Sequence, residues 1–175
     1  TLVGNSSFAD PFTAEPFSRD PPRVAAKAEA YLRSTGIADE CFIGAEAEFY
    51  LFDSVRYESS PAESFYAIDS AEAAWNTGRE EEGGNKGYKT AFKGGYFPVS
   101  PVDKQADLRD AMCVAMDEVG LEVERSHHEV GAAGPAEINY KFDTLTKAAD
   151  DLLQFKYVIK GTADSWGKSV TFMPT

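Results

Sequence analysis

Apolar and polar positions alternate along residues 41–53, which predicts a β-strand with one buried face. Every odd position from Ile43 to Leu51 is apolar, so Glu46 and Glu48 share the opposite face. Their side chains would then be spaced by about 6.6 Å along the strand, which suits two neighbouring cations. A solvated face is the alternative, but aromatic residues on the same face would be poorly placed in water. The pattern therefore favours a metal-binding strand.

A second acidic pair is predicted on a β-hairpin further along the chain. One alternating strand ends at Glu129, turn residues fill positions 131–135, and a second alternating strand follows. If the hairpin is symmetric about Ala133, Glu129 and Glu137 face each other. Their Cβ atoms would lie about 4.5–5.5 Å apart, and the two like charges would repel unless a cation sat between them. Because Mg²⁺ and Mn²⁺ prefer carboxylate and water oxygens, a divalent-metal site is predicted here.

The adjacent histidines His127 and His128 raise the alternative of a zinc site. Neighbouring residues of a strand point to opposite faces, so both cannot bind one metal ion from a regular strand. The two cysteines, Cys41 and Cys113, form no metal-binding cluster with them. We therefore expect these histidines to orient the glutamate ligands without binding the metal themselves, or to lie in the core.

Helix signals complete a coarse prediction of the fold. Asp20 and two prolines start a helix that Gly36 ends, which predicts a helix over 21–35. Apolar spacing predicts a second helix through residues 108–119 and a third from about 143 to 167. With the strands, these helices predict an α+β domain in which an antiparallel sheet has an open acidic face and helices on its other face.

Several polar segments carry no chemical signal by themselves. Residues 77–87 are polar and glycine-rich, which predicts a mobile surface loop. Asp53 and the run 80–82 have no partner pattern, so we expect them on the solvated surface. Residues 93–98, KGGYFP, match neither a P-loop nor a dinucleotide motif and predict only an ordered loop.

Composition narrows the classes of partner and compartment. The 175 residues include 29 acidic and 17 basic ones, and this charge disfavours nucleic acid or an anionic membrane as partners. No apolar run approaches the roughly 20 residues of a membrane span, and no signal peptide opens the sequence. Two cysteines without a CxxC motif fit a reducing compartment, so we expect a cytoplasmic protein.

Four motifs, in this order and at these distances, resemble bacterial type I glutamine synthetase. They are GAEAEF at 44–49, KGGYFP at 93–98, HHEV at 127–130 and AEIN at 136–139. The resemblance spans nearly all of the chain and is more specific than any single motif. It implies that residues 1–175 are a partial catalytic domain, without the family's small N-terminal sheet domain and its C-terminal half.

The resemblance also implies roles for individual residues. The ligands of the metal that activates the enzyme match three glutamates, Glu48, Glu129 and Glu137. Glu46 matches one ligand of the second metal, which holds the ATP phosphates. On the nucleotide side the matching residues are Glu124 and, near the adenine, Phe142. The implied cofactors are Mg²⁺ or Mn²⁺ with ATP as co-substrate, and no catalytic residue of the family matches a position in this chain.

The implied reaction joins ammonia to the γ-carboxylate of glutamate through a γ-glutamyl phosphate, giving glutamine, ADP and phosphate. We expect the parent enzyme to be a homo-oligomer, a dodecamer on family grounds, and the isolated chain to be inactive, poorly stable or self-associating. Alternatives are a related ligase for another amine, a catalytically silent paralogue, or a non-catalytic acidic domain that binds calcium. Against calcium, the sequence has no EF-hand loop.

Overall fold

The structure is a computed structural model that describes residues 9–131 and 133–173. Its helices are α1 (Pro21–Thr35), α2 (Ala106–Glu118) and α3 (Leu145–Ser165). Its strands are β1 (Phe42–Ile43), β2 (Glu48–Phe52), β3 (Ser54–Ser59), β4 (Ser64–Asp69), β5 (Val123–His128), β6 (Pro135–Tyr140), β7 (Asp143–Thr144) and β8 (Ser169–Thr171). These elements fall into two compact units, one of residues 9–45 with Tyr140–Tyr157 and one of Glu46–Asn139 with residues 158–173.

The first unit contains α1, the short β1–β7 ladder and the beginning of α3. Helix α1 has the bounds predicted from its proline start and its glycine end. Gly36 adopts φ 70° and donates its N–H to the Arg33 carbonyl at 3.2 Å, which closes the last turn. Asp20 occupies the N-cap position, but its side chain makes no capping hydrogen bond. The two prolines that follow have no N–H groups, and the next N–H, that of Arg23, is donated to the Asp20 carbonyl at 3.0 Å instead.

The second unit is built on a four-stranded sheet in the order β5-β6-β2-β8, with β2 antiparallel to both β6 and β8. Helix α2 packs against β5. Its apolar residues Met112 and Met116 are fully buried, as are Phe49 and Leu51 of β2 and Ile138 of β6. The predicted α+β class with antiparallel pairing is therefore confirmed. Within the described part of the chain, no helix combines the length and the apolar composition that a membrane span requires.

The single strand predicted over residues 41–53 is wrong, because two separate strands occupy that range. β1 pairs with β7 in one two-stranded ladder, whereas β2 pairs with β6 and β8. Residues 44–47 belong to neither ladder. Alternation of side chains persists through this break, so the sequence pattern could not reveal it. Glu46 therefore lies outside the strand that carries Glu48, and the predicted shared strand face does not exist.

The loop predicted over residues 77–87 is organised by ion pairs and side-chain hydrogen bonds. Arg79 pairs with Asp69 and, at 3.4 Å, with Glu81, which also pairs with Lys89. Asn85 donates its side-chain amide to the carbonyl of Arg79 at 2.9 Å. Lys89, which follows the segment, is almost fully buried at 3% side-chain exposure, whereas most residues of 77–87 are exposed, so the segment is a surface loop held by these contacts.

Asp53, Glu80 and Glu82 are exposed, as expected, whereas Glu81 is half-buried. Two of these acids nevertheless have partners that the sequence did not indicate. Glu81 forms the ion pairs described above, and Asp53 pairs with Lys168 and accepts the N–H of Ala71 at 2.5 Å. Both contacts join segments that are distant in sequence, so no local pattern predicted them.

Candidate metal centre

The hairpin of β5 and β6 brings the predicted acidic pair together in a different register from the expected one. Glu129 donates its N–H to the Pro135 carbonyl at 3.1 Å, so Glu129 pairs with Pro135 and the predicted opposition of Glu129 to Glu137 is wrong. His127 lies between the two carboxylates. Its Nδ1 is 3.4 Å from Glu129 Oε1, and its Nε2 is 3.5 Å from Glu137 Oε2.

These three side chains offer one ligand atom each, all within 4.8 Å of one another. Their exposed fractions are only 8% for His127, 9% for Glu129 and 8% for Glu137. Glu129 accepts the Val130 N–H at 2.8 Å and Glu137 accepts the Asn139 side-chain amide at 2.7 Å, in each case with the oxygen that faces away from His127. The oxygens that remain point at the imidazole, and two buried carboxylates this close require positive charge between them.

The hydrogen bonds of His127 decide which ring nitrogen could bind a metal ion. Nδ1 lies 3.2 Å from the His128 carbonyl and close to the Glu129 carboxylate, and both groups can only accept. These two acceptors favour the tautomer whose proton is on Nδ1. Nε2, 3.5 Å from Glu137 Oε2, is then the nitrogen that can bind a metal ion. An Nδ1–H bound to a backbone carbonyl is the usual arrangement of a histidine that binds metal through Nε2.

The KGGYFP segment fixes the His127 ring in place. Phe97 stacks on the imidazole with ring centroids 4.5 Å apart and planes 15° apart, and Tyr96 contacts it edge-on at 5.9 Å. Phe97 adopts φ 55°, a strained conformation for an aromatic residue. Gly95 packs so tightly that an added Cβ would overlap the carbonyl oxygen of Glu129. The segment predicted only as an ordered loop therefore forms one wall of the centre.

The other predicted site residues lie outside this group of three. Glu48 is half-buried on β2 and is the direct cross-strand partner of Glu137, which places both side chains on one face of the sheet. Glu46 is exposed between β1 and β2, and Glu124 is exposed on β5. Phe142 is 56% exposed and packs edge-on against Phe42 in the first unit.

His128 faces the opposite side of β5 and enters a second, fully buried polar cluster with Glu72 and Asp103. The expectation that adjacent histidines diverge, and that His128 lies in the core, is thereby confirmed. Glu72 contacts His128 Nε2 at 2.5 Å, and Asp103 forms a paired salt bridge with Arg109 at 2.6 and 3.1 Å. Because internal donors occupy these carboxylate oxygens, the cluster is a balanced set of ion pairs and does not suit a metal ion.

Burial and pairing act in opposite directions on the titrating groups of this cluster. Burial lowers the pKa of His128, but the hydrogen bond and charge of Glu72 outweigh it and the net pKa is raised. Burial raises the pKa of Asp103, but the hydrogen bonds and charge of Arg109 outweigh it and the net pKa is lowered. Pairing therefore favours the charged forms of His128 and Asp103 over burial.

The buried pair predicts an acid-dependent loss of stability. Asp103→Asn should lower the free energy of unfolding at pH 7 by about 3 kcal/mol, because Arg109 is left buried without its counter-charge. A carboxyl whose pKa is lowered on folding stabilises the protein above its unfolded pKa and loses that effect as pH falls through the folded pKa. The difference between wild type and variant should therefore shrink below about pH 3.8 in urea unfolding curves. Asp110→Asn, at an exposed position of α2, is the control and should show neither effect.

Geometry alone thus defines a class: an α+β domain whose sheet holds a carboxylate–imidazole centre suited to a divalent metal ion. The model of the glutamine synthetase catalytic domain matches residues 18–175. The chain belongs to the glutamine synthetase catalytic-domain family.

Relatives and solved structures agree with this membership. The chain is 61% identical to a glutamine synthetase of Streptomyces filamentosus and 60% identical to that of Streptomyces coelicolor, each over 174 residues and 99% of the chain. It spans 37% of the length of these relatives. A cryo-EM structure of Plasmodium falciparum glutamine synthetase matches 95% of the chain and 33% of its own, with 28% identity and a TM-score of 0.81.

Reasoning from the residues left the position of His127 open and gave no indication of Glu72. His127 was expected to support the glutamates or to lie in the core; it is buried and lies between the two carboxylates, where it is a further candidate ligand. The HHE triplet was a usable signal, because residues 127 and 129 share a face of a regular strand. Glu72 carried no signal, since its partners His128 and Gly134 are more than fifty residues away.

Proposed function

We propose that this chain is the metal-binding part of the catalytic domain of a glutamine synthetase. Such an enzyme joins ammonia to the γ-carboxylate of glutamate and converts ATP to ADP and phosphate. The observation that carries the proposal is the convergence of Glu129, Glu137 and His127, with ligand atoms within 4.8 Å on the sheet of a family member.

The donor set fits Mn²⁺ or Mg²⁺, which accept carboxylate oxygens, and an imidazole nitrogen favours Mn²⁺ of the two. When bound, the metal offsets repulsion between the glutamate carboxylate and the ATP phosphates and stabilises the transferring phosphoryl group. Glu129 and Glu137 would hold it through the oxygens that face His127. Their near-complete burial excludes water and keeps both carboxylates oriented toward one point.

The proposed reaction proceeds in two balanced steps. The γ-phosphoryl group of ATP moves to an oxygen of the substrate's γ-carboxylate, and ADP leaves. The nitrogen of ammonia then attacks the carbonyl carbon, the carbon–oxygen bond to phosphate breaks, and the nitrogen loses a proton. In both steps Phe97 and Tyr96 would keep the His127 ring oriented between the two carboxylates.

Further assignments rest on the resemblance, with different degrees of support from geometry. Glu48 as a third ligand is supported by its direct cross-strand pairing with Glu137. Glu46 as a ligand of a second, ATP-bound metal is supported only by its exposed position near Glu48 in the sequence. Glu124 and Phe142 as nucleotide contacts rest on the resemblance alone.

The calcium-binding alternative is not favoured by the donor set. Calcium sites use six to eight oxygen ligands, whereas this group has two carboxylates and an imidazole nitrogen. A ligase for another amine would use the same phosphorylated acid and differ only in the nucleophile. An activity assay that compares ammonia with another amine distinguishes the two enzymes.

The proposal extends to assembly and compartment. A homo-oligomer, dodecameric on family grounds, is supported by exposed apolar residues on the β3–β4 hairpin, among them Tyr57, Phe65 and Tyr66. A cytoplasmic location is supported by two free cysteines, Cys41 and Cys113. Sedimentation of a full-length enzyme that carries this chain tests the proposed homo-oligomer, because a monomeric enzyme would exclude it.

The function is tested in a chimera, in which this chain replaces the 174 matched residues of the Streptomyces coelicolor enzyme. We expect an assembled protein that forms glutamine from glutamate, ammonia and ATP only when Mn²⁺ or Mg²⁺ is present. An assembled chimera that forms no glutamine would contradict the proposal. Preferential use of methylamine over ammonia would instead support the ligase for another amine.

A further inference from the structure

We propose that Glu72 is a positioning residue that holds both limbs of the metal-binding hairpin in register from the core side of the sheet. Its Oε1 accepts the N–H of Gly134 at 2.7 Å and contacts His128 Nε2 at 2.5 Å. His128 is the last residue of β5, and Gly134 directly precedes β6. One carboxylate oxygen therefore contacts both ends of the turn. Glu129 follows one of these ends directly, and Glu137 lies three residues beyond the other.

Glu72 is itself held in a fixed position, so it can impose one on the hairpin. Its side chain is completely buried. Its carbonyl accepts the N–H of Thr90 at 2.8 Å, and the next residue, Ala73, forms a β-bridge with Thr90. Its second oxygen lies 3.3 Å from the N–H of Lys104. Two segments outside the hairpin thus hold Glu72, one at its main chain through Thr90 and one at its carboxylate through Lys104.

His128 connects Glu72 to the backbone of the candidate ligand Glu129. Its Nδ1 lies 2.7 Å from the Gly95 carbonyl and 3.0 Å from the Glu129 carbonyl. The ring therefore links Glu72, the KGGYFP segment and the backbone of Glu129 in one chain of contacts. Because Glu129 is the next residue after His128, a displacement of the imidazole moves the Glu129 backbone with it.

Loss of this bridge should separate the two candidate ligands without removing either. Without the Glu72 acceptor, the N–H of Gly134 is left buried and unpaired, and β6 gains freedom at its first residues. Glu137 lies three residues further along and would drift relative to Glu129. Outer contacts that orient metal ligands typically change metal affinity about 10–100-fold when removed, and we expect an effect in that range.

The inference rests on the proposed function only for its metal readout, so the test includes a second readout without metal. We would compare the wild-type chain with Glu72→Ala and the isosteric Glu72→Gln. Glu58→Gln, at an exposed position of β3, is the matched control. The measurements are the Mn²⁺ dissociation constant, the melting temperature with and without Mn²⁺, and hydrogen exchange at the Gly134 amide.

For Glu72→Ala we expect Mn²⁺ affinity to fall about 10–100-fold, with a smaller metal-induced rise in melting temperature. Exchange at the Gly134 amide should accelerate about tenfold, as for the loss of one hydrogen bond. Glu72→Gln should recover part of both effects, because its amide oxygen can still accept the Gly134 N–H. A purely structural role would lower the melting temperature of the metal-free protein and leave the metal-induced rise unchanged.

Unchanged Mn²⁺ affinity in folded Glu72→Gln and Glu72→Ala would overturn the inference. If Glu72→Ala does not fold, Glu72→Gln alone decides by the same criterion. If the wild-type chain binds no Mn²⁺, the metal centre of the proposed function fails, and Glu72 is judged by exchange at Gly134. Accelerated exchange in Glu72→Ala would then support the positioning role, and unchanged exchange in this variant would reject it.

Discussion

Alanine at position 137 should lower glutamine formation by the chimeric Streptomyces enzyme about 10³-fold. Glu137 is 8% exposed, faces Glu48 across the sheet and points one oxygen at His127. A bound metal contributes several kcal/mol to stabilising phosphoryl transfer, and each 1.36 kcal/mol is about tenfold in rate. Initial rates of phosphate release and of glutamine formation, over a range of Mn²⁺ concentrations, measure the loss.

One further variant at this position, with a control on another strand, separates loss of charge from loss of structure. Glu137→Gln keeps the side-chain shape and can still accept the Asn139 amide, so the variant should fold like wild type. It should nevertheless lose most of the activity, with partial recovery at high Mn²⁺. Glu58→Ala on β3 removes an exposed acid and should change little. Wild-type rates in an assembled Glu137→Gln enzyme would exclude this residue from the centre.

The largest expected effect on stability comes from Gly134→Ala. Gly134 adopts φ 72°, and an added Cβ would overlap the backbone carbonyl oxygen of Leu51. That carbonyl belongs to the core of the sheet and cannot move aside, because Leu51 also donates its N–H to the Gly134 carbonyl at 2.7 Å. Left-handed strain and overpacking together should lower the free energy of unfolding by about 4 kcal/mol.

Gly120→Ala is the matched control for this prediction. Gly120 has φ 88°, but nothing lies within 4 Å of its added Cβ. Gly120→Ala introduces the backbone strain without the overlap, so it should lower the free energy of unfolding by only about 1–2 kcal/mol. Urea unfolding followed by circular dichroism measures both variants. Equal losses for the two alanines would mean that the close approach of β2 and the hairpin is absent in solution.

Elements with local start and stop signals were predictable from the sequence. Helix α1 has its predicted bounds because prolines begin it and Gly36 ends it, and both signals act within one turn. The stripe of apolar residues predicted α3, which runs over Leu145–Ser165. In these segments the sequence reports conformational preferences of the residues themselves.

The break between β1 and β2 could not be predicted in the same way. Apolar residues alternate without interruption from Ile43 to Leu51, yet β1 and β2 belong to different ladders. Which strands pair is decided by partners almost a hundred residues away, β6 and β7 among them. The alternation of apolar residues therefore predicted β-structure correctly, but it wrongly predicted one continuous strand.

The candidate centre was predicted in part. Turn residues located the hairpin and its two glutamates, but they did not give the register, in which Glu129 donates its N–H to the Pro135 carbonyl. In that register His127 lies between the Glu129 and Glu137 carboxylates, where the sequence had predicted only a metal ion. The contacts of Glu72 with His128 and Gly134 link distant segments, and periodicity contains no information about them.

Calorimetric titration of Mn²⁺ into the 175-residue chain, without nucleotide, tests the central claim most directly. Wild type should bind at one saturable site, and Glu129→Ala and Glu137→Ala should each abolish that binding while Glu58→Ala preserves it. Such a result would place both glutamates at one metal centre. In a chain that circular dichroism shows to be folded, absent binding, or binding that both variants retain, would contradict the metal centre.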